Sequence, residues 1–134
     1  MTKYSKVPIL AIDTSTSYLS LALAVNTNIY TRHLNIGNKQ SEQILPQITE
    51  LFNQAGILAS DLGHIVYSAG PGTFTGLRIG IGVAQGLAAP FDTPLQAIPT
   101  LDCIAEQKFH HPCVLAAIDA RMGEVFYTWY DTIN

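Results

Sequence analysis

The amino-acid sequence predicts an α/β fold: a mixed five-stranded sheet with helices on both faces, followed by the start of a second lobe. Three observations predict it. Short apolar runs bounded by turn residues recur and read as strands, two longer stretches switch to a 3.6-residue period and read as helices, and after residue 108 the strand-and-turn pattern of the N-terminus begins again. The division expected is a first lobe over 1–108 and the beginning of a second over 109–134.

Ile9 to Ile12 is a continuous apolar run ending at Asp13, and the polar cluster Thr14 to Ser17 after it reads as a tight turn. Leu19 to Val25 and Ile29 to Ile36 flank Asn26-Thr27-Asn28, whose asparagines tolerate positive φ, so a three-strand meander is expected. Ser41 to Ala55 places Ile44, Leu45, Ile48, Leu51, Phe52 and Ala55 on one helical stripe, and Gly56 is expected to stop that helix. Pro46 implies that it begins later than Ser41 or bends there.

His64 to Ala69 reads as another strand, followed at once by the loop Gly70-Pro-Gly-Thr-Phe-Thr-Gly and a helix over 75–89. Gly76, Gly80, Gly82 and Gly86 in that helix together forgo about 3 to 4 kcal/mol relative to alanine, so close approach by a neighbouring element is expected as compensation. On a helical wheel Leu77, Ile81, Ala84 and Ala88 fall on one side, assigned to the sheet, and Thr75, Ile79, Gly82 and Gly86 fall opposite, assigned to another helix. That helix belongs to this chain or to a partner. Pro94 to Ile98 reads as the fifth strand and Thr100 to Lys108 as a short helix capped by Thr100. Val114 to Ile118 then ends in Asp119 as the first strand ends in Asp13, and Gly123 to Tyr130 returns as a strand. Its aromatic run close to Asn134 implies a bare edge, hence a fragment or a chain that pairs with another copy.

With 48% apolar and 13% charged residues the chain has the composition of a core-forming domain, and a net charge of −3 with seven scattered Lys and Arg excludes a basic stripe for gripping nucleic acid. Cys103 and Cys113 are the only cysteines and Met1 to Pro8 lacks signal-peptide features, so a cytoplasmic protein with free thiols is expected. Arg78 and Gln85 interrupt the one long apolar stretch, Phe74 to Phe91, which argues for a buried helix over a membrane span.

The Gly70 to Gly76 loop has the strand–loop–helix placement of a phosphate cradle, but lacks the Gly-Lys-Ser/Thr ending of a P-loop and the spacing of a dinucleotide fingerprint. His33, His64 and the pair His110-His111 lack the i, i+4 spacing of helical metal ligands. No Gly-x-Ser-x-Gly elbow occurs, although a nucleophile assembled in space leaves no such trace.

Ile9-Leu-Ala-Ile-Asp-Thr-Ser-Thr-Ser, Ile44-Leu-Pro, the run from Gly70 to Ala88 and Ala117-Ile-Asp-Ala-Arg-Met-Gly-Glu-Val-Phe-Tyr together resemble the TsaB (YeaZ) family, in order and over nearly the whole chain. The resemblance implies an actin/hexokinase-like fold of two ribonuclease-H-like lobes, the second of which normally continues past the hairpin seen here. It implies a non-catalytic role in making threonylcarbamoyladenosine beside the anticodon of tRNA. The partners it implies are TsaD, which carries the metal site and transfers the group, and the ATPase TsaE. ATP and metal are thus expected on the partners and no cofactor on this chain, with tRNA met only indirectly and no membrane.

TsaD-like enzymes resemble this chain but hold their metal with a His-x-x-x-His pair on the first long helix, where Ser41-Glu-Gln-Ile-Leu-Pro stands here. Asp13, Gly70, Gly72 and Asp119 are expected to mark a vestigial nucleotide cleft, with Asp13 bonded to the turn 14–17 and Asp119 to the turn 121–123. The contacts expected with TsaD, or with a second copy in its absence, are Gln43, Gln47 and Glu50 on the first helix and Thr75, Arg78, Ile79, Gly82 and Gly86 on the second. The alternative is an ATP-dependent phosphotransferase using the two aspartates and the Gly70 loop. A metallopeptidase is the weakest reading, since the metal pair is missing.

Overall fold

The computed structural model describes residues 7–108, 110–121 and 123–131. Strands β1 (Ile9–Asp13), β2 (Tyr18–Val25) and β3 (Asn28–Asn35) form the expected antiparallel meander, turned at Asn26 with φ 56°. Helix α1 (Gln40–Ala55) leads to β4 (His64–Ser68), helix α2 (Phe74–Ala88) to β5 (Leu95–Ile98), and α3 (Thr100–Glu106) to the hairpin β6 (Cys113–Arg121) and β7 (Glu124–Asp131). Strands β1, β4 and β5 run parallel because a helix crosses between them, which gives the order β3-β2-β1-β4-β5.

Alternation along the strands sends Leu10, Ile12, Leu19, Leu21, Leu23 and Ile65 to one face, where Ile44, Ile48 and Leu51 of α1 and Ala84 and Ala88 of α2 close the core. Across β1 and β2 the opposite face pairs Ala11 with Ala22 and Asp13 with Ser20. On that side Cys103 of α3 borders a cavity with residues of β1, β2, β4 and β5, so helices stand on both faces of the sheet.

Three local expectations change. Helix α1 starts at Gln40 with Pro46 well inside it; Pro46 is exposed, so the carbonyl it leaves without a helical partner lies on the solvent side. Gly56 does end the helix, at φ 71°. Thr100 is not a cap: Pro99 precedes the helix, the buried Thr100 hydroxyl has no partner, and its amide donates to the Gly70 carbonyl at 2.9 Å. On α2 the buried stripe is Gly76, Gly80, Ala84 and Ala88 rather than one containing Leu77 and Ile81, because side chains this small let the helix axis settle close to the sheet.

Beneath α3, Leu101 and Ala105 pack on Ala116 of the hairpin, with Ile104, Val114, Ile118 and Tyr130 around them. Val125, Phe126, Tyr127 and Trp129 of β7 stay exposed. The Tyr130 hydroxyl donates to the Asp102 carboxylate, and burial together with that hydrogen bond pushes its pKa up to about 12. Since tyrosine in an unfolded chain titrates near 10, the folded state holds the proton longer, and this contribution to stability is full below pH ~10 and lost as pH rises towards 12. Urea midpoints measured from pH 9 to 12 should therefore fall more steeply for the native chain than for Tyr130→Phe.

Candidate functional site

The loop after β4 and the first turns of α2 wrap against the turn that follows β1. Thr73 donates its amide to the Ser15 carbonyl at 2.8 Å, and Thr14 Oγ1 donates to the Gly76 carbonyl at 2.6 Å. Thr14 and Ser15 are 1% and 2% exposed, so this junction is dry. A Cβ at Gly72 would sit 2.6 Å from the Ser15 carbonyl oxygen, and one at Gly76 or Gly80 would come well inside 3 Å of Thr14. Close approach thus accounts for these three glycines, and the approaching element is a turn of the same lobe.

Gly82 and Gly86 differ. Both are exposed, and a Cβ built at either would meet nothing within 4 Å. Among the described residues no helix of this chain packs on them, which removes the intramolecular explanation of that pair. Thr75 and Arg78 share the same open side, with the Arg78 guanidinium 5.0 Å over the Phe74 ring, which is itself 74% exposed. Ile79 is half-buried against the core together with Val83 and Leu87, so it forms the inner border of this face rather than its centre.

On α1, Gln43 and Gln47 are half-buried and Glu50 is exposed. Arg32 of the edge strand β3 reaches Gln54 at 3.2 Å and Glu50 at 3.9 Å. That flank of the helix, which includes Gln43 and Gln47 by their spacing, therefore turns toward β3 and away from α2. Leu45 lies on the other flank and is 51% exposed. It does not join the buried stripe expected of it, because consecutive residues stand about 100° apart on a helix and Leu45 is turned that far from Ile44. Glu50→Ala should change stability by less than ~0.5 kcal/mol in chemical denaturation, since the ion pair is long and solvated.

A cavity of about 730 Å³ opens between the starts of α1 and α2 and the hairpin. Gly72 and Asp119 line it; Asp13 and Gly70 do not. Asp13 Oδ1 accepts from the Ser15 amide at 3.0 Å and the Ser15 hydroxyl at 2.6 Å, the turn bonding expected of it, and its side chain lies on the far face of the sheet. Gly70, at φ 109°, receives Thr100 instead. The turn expected to hold Asp119 lies partly outside the described residues. Among the described residues no three His, Cys, Asp or Glu side chains gather as a metal site, and no helix is long and apolar enough to cross a membrane. Burial, with the Asp13 and Asp102 carboxylates nearby, pushes the Cys103 thiol up from its ordinary range.

A family model described as "TsaD: tRNA N6-adenosine threonylcarbamoyltransferase" matches residues 35–134. The chain is 40% identical over 91% of its length to the "tRNA threonylcarbamoyladenosine biosynthesis protein TsaB" of Escherichia coli, covering 54% of that protein. The protein of the same name from Bacillus subtilis is 34% identical over 94% of the chain, which covers 56% of it. Among solved structures, YeaZ from Pseudomonas aeruginosa superposes with a TM-score of 0.87 at 37% identity, over 93% of this chain and 60% of that one. The chain thus spans between half and two thirds of the length of the relatives it matches. Sequence, family model and the actin-like, ribonuclease-H-like lobe agree, and the chain belongs to the TsaB (YeaZ) family within the wider group that the TsaD model describes.

Proposed function

We propose that the chain is a non-catalytic, partner-binding component of the machinery that forms threonylcarbamoyladenosine in tRNA, and that it pairs with TsaD through the outer face of α1 and α2. The observation that carries this is the Gly82–Gly86 pair. Two exposed helical glycines forgo about 2 kcal/mol of helix stability, and nothing in the described chain compensates them. A foreign helix settling on that backbone supplies the compensation, with Leu45, Thr75 and Arg78 around it. Gln43, Gln47 and Glu50, which face β3, contribute at the rim. The names of the relatives support the pathway, and the hairpin is read as the opening of a second lobe over 109–134. In this reading TsaE joins the complex, ATP and metal reside on the partners, and tRNA is met through them.

Size-exclusion chromatography of the chain with and without TsaD tests the proposal. Co-elution as a heterodimer is expected, with a homodimer of this chain when TsaD is absent; separate elution of the two proteins overturns it. The alternative, a phosphotransferase, is favoured by the cavity that joins Gly72, Asp119 and the two helix starts, although it leaves out Asp13. Calorimetry with millimolar ATP decides it: absence of binding removes that reading.

A further inference from the structure

On the sheet face opposite α1 and α2, the pairing register sets Asp13 beside Ser20 and Ser20 beside His33, in one row across β1, β2 and β3. The Ser20 Oγ to His33 Nδ1 distance is 2.6 Å. The imidazole is held in place by Tyr18, whose ring stacks on it at 4.4 Å with an interplanar angle of 8°. Ser20 also lines a cavity of about 240 Å³ floored by Ala11, Ala22, Val66 and Ile98. A hydroxyl in contact with an oriented base, beside an apolar pocket, is the constellation of an activated nucleophile. No sequence motif announces it, because the residues meet through strand register.

We propose that Ser20 is an acylatable serine activated by His33, taking neutral activated esters with a short aliphatic acyl chain. With the ring proton of neutral His33 on Nε2, Nδ1 accepts the Oγ proton as Oγ attacks the ester carbonyl. The Oγ–C bond forms, the bond from that carbon to the leaving alkoxide or phenolate breaks, and the imidazolium passes its proton to the leaving group or to water. The acyl chain rests on Ala11, Ala22 and Val66. The Asp13 carboxylate beside the pocket disfavours anionic donors. Strand β2 is paired on both sides, so its amides are engaged in the ladder and none is left to hold an oxyanion. One acylation per chain with slow turnover is therefore the expected outcome.

The experiment is stopped-flow mixing of the chain with p-nitrophenyl butyrate, followed by peptide mass spectrometry. A burst of about one equivalent of nitrophenolate per chain, with the butyryl group on Ser20, supports the proposal. His33→Phe, which keeps the ring stack on Tyr18, should slow the burst by about 100-fold or more, and Ser20→Ala should abolish it. Ala22→Leu, which fills the pocket, should slow p-nitrophenyl butyrate more than p-nitrophenyl acetate. Absence of a burst from the unmodified chain, a label on any other residue, or an unchanged rate in His33→Phe overturns it.

Discussion

Gly76→Ala is expected to lower stability by about 2 to 3 kcal/mol, whereas Gly82→Ala and Gly86→Ala should each raise it by roughly 0.5 to 1. The same substitution in the same helix changes sign because of what each Cβ meets. At Gly76 it would press on the Thr14 carbonyl, a backbone atom one residue past the paired end of β1, and on the Thr73 hydroxyl. The Thr73 hydroxyl can rotate aside, but the Thr14 carbonyl cannot retreat without loosening the buried bond from Thr14 Oγ1 to the Gly76 carbonyl. The gain of about 1 kcal/mol in helix propensity does not offset that overlap. Gly80→Ala meets a side-chain hydroxyl instead, Thr14 Oγ1, which can rotate only by giving up the same bond, so an intermediate loss is expected. At Gly82 and Gly86 the new methyl enters open space and only the propensity gain remains. Urea unfolding of the single variants reads the sign directly, and a neutral Gly76→Ala would mean that the turn after β1 slides away from α2 at little cost.

Gly82→Leu should weaken the complex with TsaD by at least about 100-fold, or roughly 3 kcal/mol, while leaving the lone chain folded. A leucine side chain on this face would hold a partner helix away from the α2 backbone, and it touches neither the buried stripe nor the sheet. Leucine is also a better helix former than glycine, so the unfolding midpoint of the isolated variant should equal or exceed that of the native chain. The pairing of intact stability with lost binding separates an interface effect from a folding effect. Co-elution of Gly82→Leu with TsaD at native yield would show that the partner docks elsewhere. Together the two series divide the four glycines of α2 by function: Gly76 and Gly80 let the lobe close on itself, and Gly82 and Gly86 are left for another surface.

Strand existence was legible because β1, β2 and β4 are short, mostly apolar runs ended by turn residues, and the parallel pairing of β1, β4 and β5 follows from the helical crossovers between them. Asp13 and Asp119 looked equivalent, since both close an apolar run before a turn. Only the assembled sheet separates them: Asp13 alternates with Leu10 and Ile12 and so lies on the face away from α1 and α2, while Asp119 sits on the hairpin, at the cavity. The surroundings of Gln43, Gln47 and Glu50 on α1 were not legible for a related reason. A wheel gives angles around one helix but not which neighbour stands at each angle, and Arg32, on a strand distant in sequence, identifies the Glu50 flank as the β3 side.

What the sequence determined by itself is therefore local: the order and type of the elements, the Gly56 stop, the Asn26 turn, and the family to which the ordered motifs belong. These depend on periodicity, backbone preference and side-chain chemistry within a few residues of each position. The tertiary structure alone decided which glycines are enclosed and which are bare, which face of the sheet receives Asp13, and that Ser20 meets His33. Those outcomes depend on steric contact and strand register between segments distant along the chain. No local preference encodes the distance between two surfaces until both are in place.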